Sequence, residues 1–167
     1  MGTISIHHFD LSKNEELTGI KLDELILIDI IKKLHKYDIK VRINCTITKG
    51  YLESLEDINT LIEFGKKLGV DSIRFAEISY YDELFVDLNK IFNSEYGLTD
   101  EPFVNGCYKS AIINNMPVDI KLSCGALTKN RKLPEGATST EYKNIIYYDG
   151  EVYKGWQTSY NSYDEKQ

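Results

Sequence analysis

The chain of 167 residues carries 26 acidic and 20 basic side chains, for a formal charge of −6, and 42% of it is hydrophobic, enough for one domain to build a core. Lysines and acids are interspersed, so there is no basic stripe of the kind that tracks a nucleic-acid backbone, and no nucleic-acid partner is expected. No apolar run approaches the roughly 20 residues that cross a bilayer, and the amino terminus lacks a basic segment followed by an apolar one, which predicts a soluble, cytoplasmic protein with no membrane partner.

Residues 3–9 alternate Ile4 and Ile6 with Thr3, Ser5 and His7. The period of two predicts a strand that delivers Ser5 and His7 to one face. A loop carrying Ser12, Asn14 and Gly19 is expected next. Over 21–36, Leu22, Leu25, Ile26, Ile28, Ile31 and Leu34 recur at helical spacing with lysines gathered at the end, so an amphipathic helix is expected. Val41, Ile43 and Cys45 then alternate with Arg42, Asn44 and Thr46, a strand whose two faces differ in chemistry.

Ser54 followed by Asp57 is an approximate capping box. It opens a helix through Ile58, Leu61, Ile62 and Phe64 that ends at Gly69 after Lys66 and Lys67. The strand 72–78 follows almost at once. Strand, helix, strand, helix, strand implies parallel strands joined by right-handed crossovers, an α/β fold. Beyond it we expect a short helix at 82–92 and a strand in which Val118, Ile120, Leu122 and Cys124 alternate with Asp119, Lys121 and Ser123. Residues 111–114 would pair with that strand or precede it. Asp149-Gly150 between 143–148 and 151–156 is the strongest hairpin signal in the chain. This divides the chain into a βαβαβ segment over 1–80 and a β-rich extension over 81–167, with its hairpin at 143–156.

Cys45, Cys107 and Cys124 form no CxxC pattern and are odd in number, which favours reduced thiols over a disulfide scaffold. Cys45 reads as a small buried hydrophobe. Adjacent strand residues point to opposite faces, so His7 and His8 are not expected to ligate one metal ion. The twelve tyrosines, in clusters such as Tyr80-Tyr81 and Tyr147-Tyr148, read as sheet-covering aromatics.

The succession SIHHFD, IKVRINCTITKG and SLEDINTLIEFGKKLGVDSIRFAEIS resembles the second half of the radical S-adenosylmethionine barrel, in particular enzymes of the molybdenum-cofactor cyclase type. The resemblance covers residues 3–79. It implies that these are strands four to six of a partial parallel (β/α) barrel and that the chain is the carboxy-terminal part of a larger enzyme. The parent would use S-adenosylmethionine and a 4Fe-4S cluster. The CxxxCxxC cluster motif and the glycine-rich turn for the methionine amine are absent from the sequence, so neither cofactor is expected to be held by this chain alone. The resemblance further implies cofactor contacts from Ser5, His7, Asn44, Glu77 and Ser79, and substrate contacts from Arg42 and Arg74. Partners would be the amino-terminal half of the barrel or a partner chain, and a small-molecule or peptide substrate. Two other readings stand beside it: a non-catalytic scaffold derived from the barrel, and an unrelated small α/β enzyme that binds an anion through Arg42, Asn44 and Glu77. Read without the resemblance, Ser5, His7, Arg42 and Asn44 form the solvated face of two strands.

Overall fold

The computed structural model describes residues 1–78, 81–96, 108–122, 144–146 and 152–154. They fall in two compact units, Met1–Ser123 and Cys124–Gln167. In the first unit the chain runs β1 (Gly2–Ser5), α1 (Leu11–Thr18), α2 (Glu24–His35), β2 (Val41–Ile47), α3 (Leu55–Leu68) and β3 (Ser72–Glu77). A 3₁₀ turn (Asp82–Leu84), α4 (Leu88–Tyr96), β4 (Tyr108–Ile113) and β5 (Met116–Lys121) complete it.

The segment read as a loop at Ser12–Gly19 is the helix α1. Asp10 caps it, its carboxylate accepting the Ser12 N–H at 2.9 Å, and Gly19 closes it at φ 70°. Asn14 is its one buried residue, so α1 has no apolar periodicity to read; local capping alone marks it. α2 begins later than 21, because Asp23 accepts the Ile26 N–H at 3.0 Å. α3 has the expected capping box: Ser54 accepts the Asp57 N–H, and the Asp57 carboxylate accepts the Ser54 N–H at 2.9 Å. Gly69 ends it at φ 85°, as expected. The helix expected at 82–92 divides into the 3₁₀ turn and α4, with Phe85 extended between them.

The five strands order β1-β2-β3-β5-β4, parallel except for β4, which pairs antiparallel with β5. β4 and β5 turn through Asn114 and Asn115 at φ 48° and 61°, the left-handed conformations a two-residue hairpin requires. The general α/β class is therefore as expected. β5, assigned above to the extension, lies beside β3 in the same sheet; its alternation revealed a strand but carried no information about its neighbour.

Val41, Ile43, Cys45 and Ile47 of β2 and Ile73 and Phe75 of β3 are buried with Leu27 and Ile31 of α2 and Ile58, Leu61, Ile62 and Leu68 of α3. Consecutive neighbouring strands joined by right-handed crossovers put both helices on one face, and the core lies there. At Gly65 of α3 a Cβ would stand 2.7 Å from Ile73 Cδ1; glycine is what lets the helix approach β3 this closely. In the second unit, β6 (Asn144–Ile146) pairs antiparallel with β7 (Val152–Lys154), the hairpin expected around Asp149-Gly150, whose turn residues lie outside the described residues. Among the described residues no helix is long and apolar enough to cross a membrane.

Candidate functional site

The face of the sheet opposite the crossover helices is polar. On β2 it carries Arg42, Asn44 and Thr46, because the intervening residues are in the core. Register extends this face straight across all five strands. Ser5 pairs with Asn44, Asn44 with Arg74, Arg74 with Asp119, and Asp119 with Ser110. Residues in register share a face, so these five side chains stand in one row, with Thr3, Arg42 and Ser72 one step along the strands.

Asp119 is the hub. Its Oδ2 lies 3.4 Å from Arg42 Nη1 and 3.5 Å from Arg74 Nη2, and its Oδ1 accepts the Ser110 hydroxyl at 2.8 Å. Arg42 Nε is buried and has no hydrogen-bond partner among the described residues. Among the described residues, two guanidiniums stand against one carboxylate at this wall. Lys121, in register with Ala76, adds a further cation to the face. Arg42, partly dehydrated and with its Nε–H unmet among the described residues, has the chemistry that holds a carboxylate or phosphate oxygen.

Of the side chains the sequence singled out, the structure brings together Ser5, Arg42, Asn44 and Arg74. His7 lies just beyond β1. Its main-chain N–H donates to Asn14 Oδ1 at 2.7 Å, and its Nδ1 accepts the Thr46 N–H at 2.9 Å. With Nδ1 so engaged, the neutral ring carries its proton on Nε2, and burial lowers its pKa. His8 is buried, its Nδ1 accepting the Asp10 N–H at 2.8 Å, so the two histidines take different partners.

Glu77 does not join the row. It is in register with the core residue Ile47 and is buried, where its carboxylate accepts the Leu88 N–H at 3.0 Å at the start of α4. There it caps a helix end. Ser79 lies outside the described residues, as do Cys107, Cys124 and the tyrosine pairs Tyr80-Tyr81, in part, and Tyr147-Tyr148. No protein-family model, curated protein or solved structure matches the chain.

Asp119 and Ser110 complete the site and were not singled out from sequence. The signal for Asp119 was present: it occupies the polar phase of the Val118, Ile120, Leu122 alternation. What sequence lacked was the pairing of β5 with β3, which turns that polar phase toward Arg74.

The described residues do not fit an iron–sulfur cluster. Cys45 is fully buried, and burial drives its thiol away from ionisation, whereas cluster ligands are thiolates. Among the described residues no three His, Cys, Asp or Glu side chains are grouped to hold a metal ion.

Proposed function

We propose that this chain forms one wall of a ligand pocket in an enzyme of the radical S-adenosylmethionine type, with the polar face of its sheet turned to cofactor and substrate. The observation that carries the reading is the register row Ser5, Asn44, Arg74 and Asp119 with Arg42 beside it. In an ordinary doubly wound sheet both faces are covered by helices and read as apolar; a barrel instead turns one face inward, where ligand side chains gather. The sequential parallel order β1-β2-β3, with both crossover helices on the far face, is the arrangement that successive units of such a barrel would have.

On this reading each residue has a defined task. Arg42 and Arg74, held apart by Asp119, orient an anionic group of the ligand. Asn44 and Ser5 offer hydrogen bonds to its hydroxyls, and the neutral His7 ring presents an Nε2–H donor at the end of β1. Cluster chemistry is supplied by residues other than those described, and this chain alone is not catalytic. The chain works in a reduced, cytoplasmic setting, where the Cys45 thiol stays free. The second reading, an unrelated anion-binding α/β protein, shares the arginine pair and is favoured by the same Asp119 geometry.

Amide and Arg Nε chemical shifts of the isotopically labelled chain, followed during titration with S-adenosylmethionine, test the proposal. A single wall should give weak binding, with Kd roughly millimolar, and shifts confined to Ser5, His7, Arg42, Asn44 and Arg74. Equal shifts with inorganic phosphate and none from the nucleoside would favour the anion-binding reading. Tight binding, or shifts elsewhere alone, would refute the one-wall account.

A further inference from the structure

We propose that His8 is an acid-sensitive latch for α1: neutral, it holds the start of the helix at the end of β1, and on taking up a proton it lets the helix go. The latch is independent of the function proposed above.

His8 is 1% exposed. The Phe9 ring stands 4.4 Å from it and the Tyr51 ring, edge-on, 6.5 Å, both between centroids. Its Nδ1 accepts the Asp10 N–H at 2.8 Å. A main-chain N–H can only donate, so Nδ1 carries no proton and the ring is neutral in this fold. Burial opposes a second proton on the ring, and Lys13 of α1 opposes it further. Asp10, Asp57 of α3 and a main-chain contact with Tyr51 act the other way, and the balance leaves the pKa below 6.5. Glu16 is engaged by the Tyr51 hydroxyl at 3.0 Å.

A proton on Nδ1 would set two donors face to face where the bond to Asp10 now lies. Asp10 is also the cap of α1, its Oδ1 accepting the Ser12 N–H at 2.9 Å and the Ser12 hydroxyl at 2.7 Å. A charged His8 competes for that carboxylate, so the helix loses its cap as the ring gains its proton. Little else keeps α1 folded. It is eight residues long with Asn14 its one buried residue, and isolated helices shorter than about 12 residues are marginal in water. Among the described residues its side-chain bonds to the rest of the unit are those of Asn14 to the His7 N–H and Glu16 to Tyr51. Opening therefore also frees the His7 N–H, which carries the change to the carboxyl end of β1.

Out of its socket His8 titrates near its ordinary 6.5, so opening takes up one proton between that pH and the lower pKa of the latched form. Opening then rises as pH falls, by up to about tenfold per pH unit, and levels off below the latched pKa. Histidine ring NMR signals and amide exchange over 11–18, corrected for the chemical exchange rate at each pH, test this in the full chain from pH 7.5 to 5.5. The His8 ring should titrate below 6.5, and protection of α1 and of the His7 amide should fall while that of α3 holds. His8→Asn, whose Oδ1 can accept the Asp10 N–H but does not titrate, should make α1 protection independent of pH. Lys13→Gln, at an exposed position, should move the His8 titration to higher pH and flatten the fall in α1 protection. Protection of α1 that holds across the range, falls together with α3, or still falls in His8→Asn overturns the latch. If His8→Asn misfolds, Lys13→Gln decides: a fall in α1 protection as steep as in the parent overturns it.

Discussion

Replacing Asp119 by Asn isolates the electrostatic hub of the site, since the amide oxygen can still accept the Ser110 hydroxyl while the charge is lost. At 3.4 and 3.5 Å each guanidinium is attracted to Asp119 by roughly 5 kcal/mol at an effective dielectric of 20, but dehydration of the three groups offsets most of this. Exposed pairs are worth about 0–1 kcal/mol, and removing one partner of a buried pair costs about 3–5. The side chains of Arg42, Arg74 and Asp119 are 13%, 25% and 22% exposed, between those limits, so Asp119→Asn should destabilise by about 2 kcal/mol. For a chain of this size that lowers Tm by about 4–8 °C. The variant also leaves two cations side by side, and an anion can take the vacated place. Phosphate should therefore raise the Tm of Asp119→Asn more than that of the parent, approaching about 2.7 kcal/mol when present at 100 times its Kd, whereas sodium chloride at equal ionic strength should not. Urea unfolding and thermal scans in the two salts make the measurement. A variant as stable as the parent, or one indifferent to phosphate, would refute the shared-carboxylate account.

Two further outcomes follow from other parts of the fold. Gly65→Ala gains roughly 1 kcal/mol of helix propensity but drives a methyl to 2.7 Å from Ile73 Cδ1, an overpacking worth about 1–3 kcal/mol. Urea titration should show net destabilisation in the parent and a gain in an Ile73→Val background, where that atom is gone; the same cost in both backgrounds would remove the contact as its cause. His7 has a pKa depressed below 6.5 by burial, so below that pH the unfolded chain binds more protons and stability declines as pH falls toward the folded-state pKa. His7→Gln, which keeps an acceptor for the Thr46 N–H, should shrink the loss of stability between pH 7.5 and 5.5, as read by denaturant midpoint; an undiminished loss would place it on His8 or elsewhere.

Much of the frame was legible because it is local. The capping box of Ser54 and Asp57 and the Gly69 stop depend on residues three or four apart, and the alternation through β2 depends on its own pleat. Parity also held information about the site: Arg74 and Glu77 are three apart on a strand, so they face opposite ways, and a site containing Arg74 could not hold Glu77. What was illegible is non-local. Nothing in 116–121 says that this strand joins β3, and so nothing marked Asp119 as the counter-charge of two arginines more than forty positions earlier. α1 escaped notice for a different reason, since it is fixed by Asp10, Gly19 and one buried amide, Asn14, with no apolar stripe.

That amide has a consequence for alignment. By occupying the His7 N–H, Asn14 acts as a register stop on β1: a strand sliding by one repeat along the edge would need that same donor and finds it taken. The run of outward main-chain donors on β1 thus ends at Ser5, two residues before the donor that Asn14 holds.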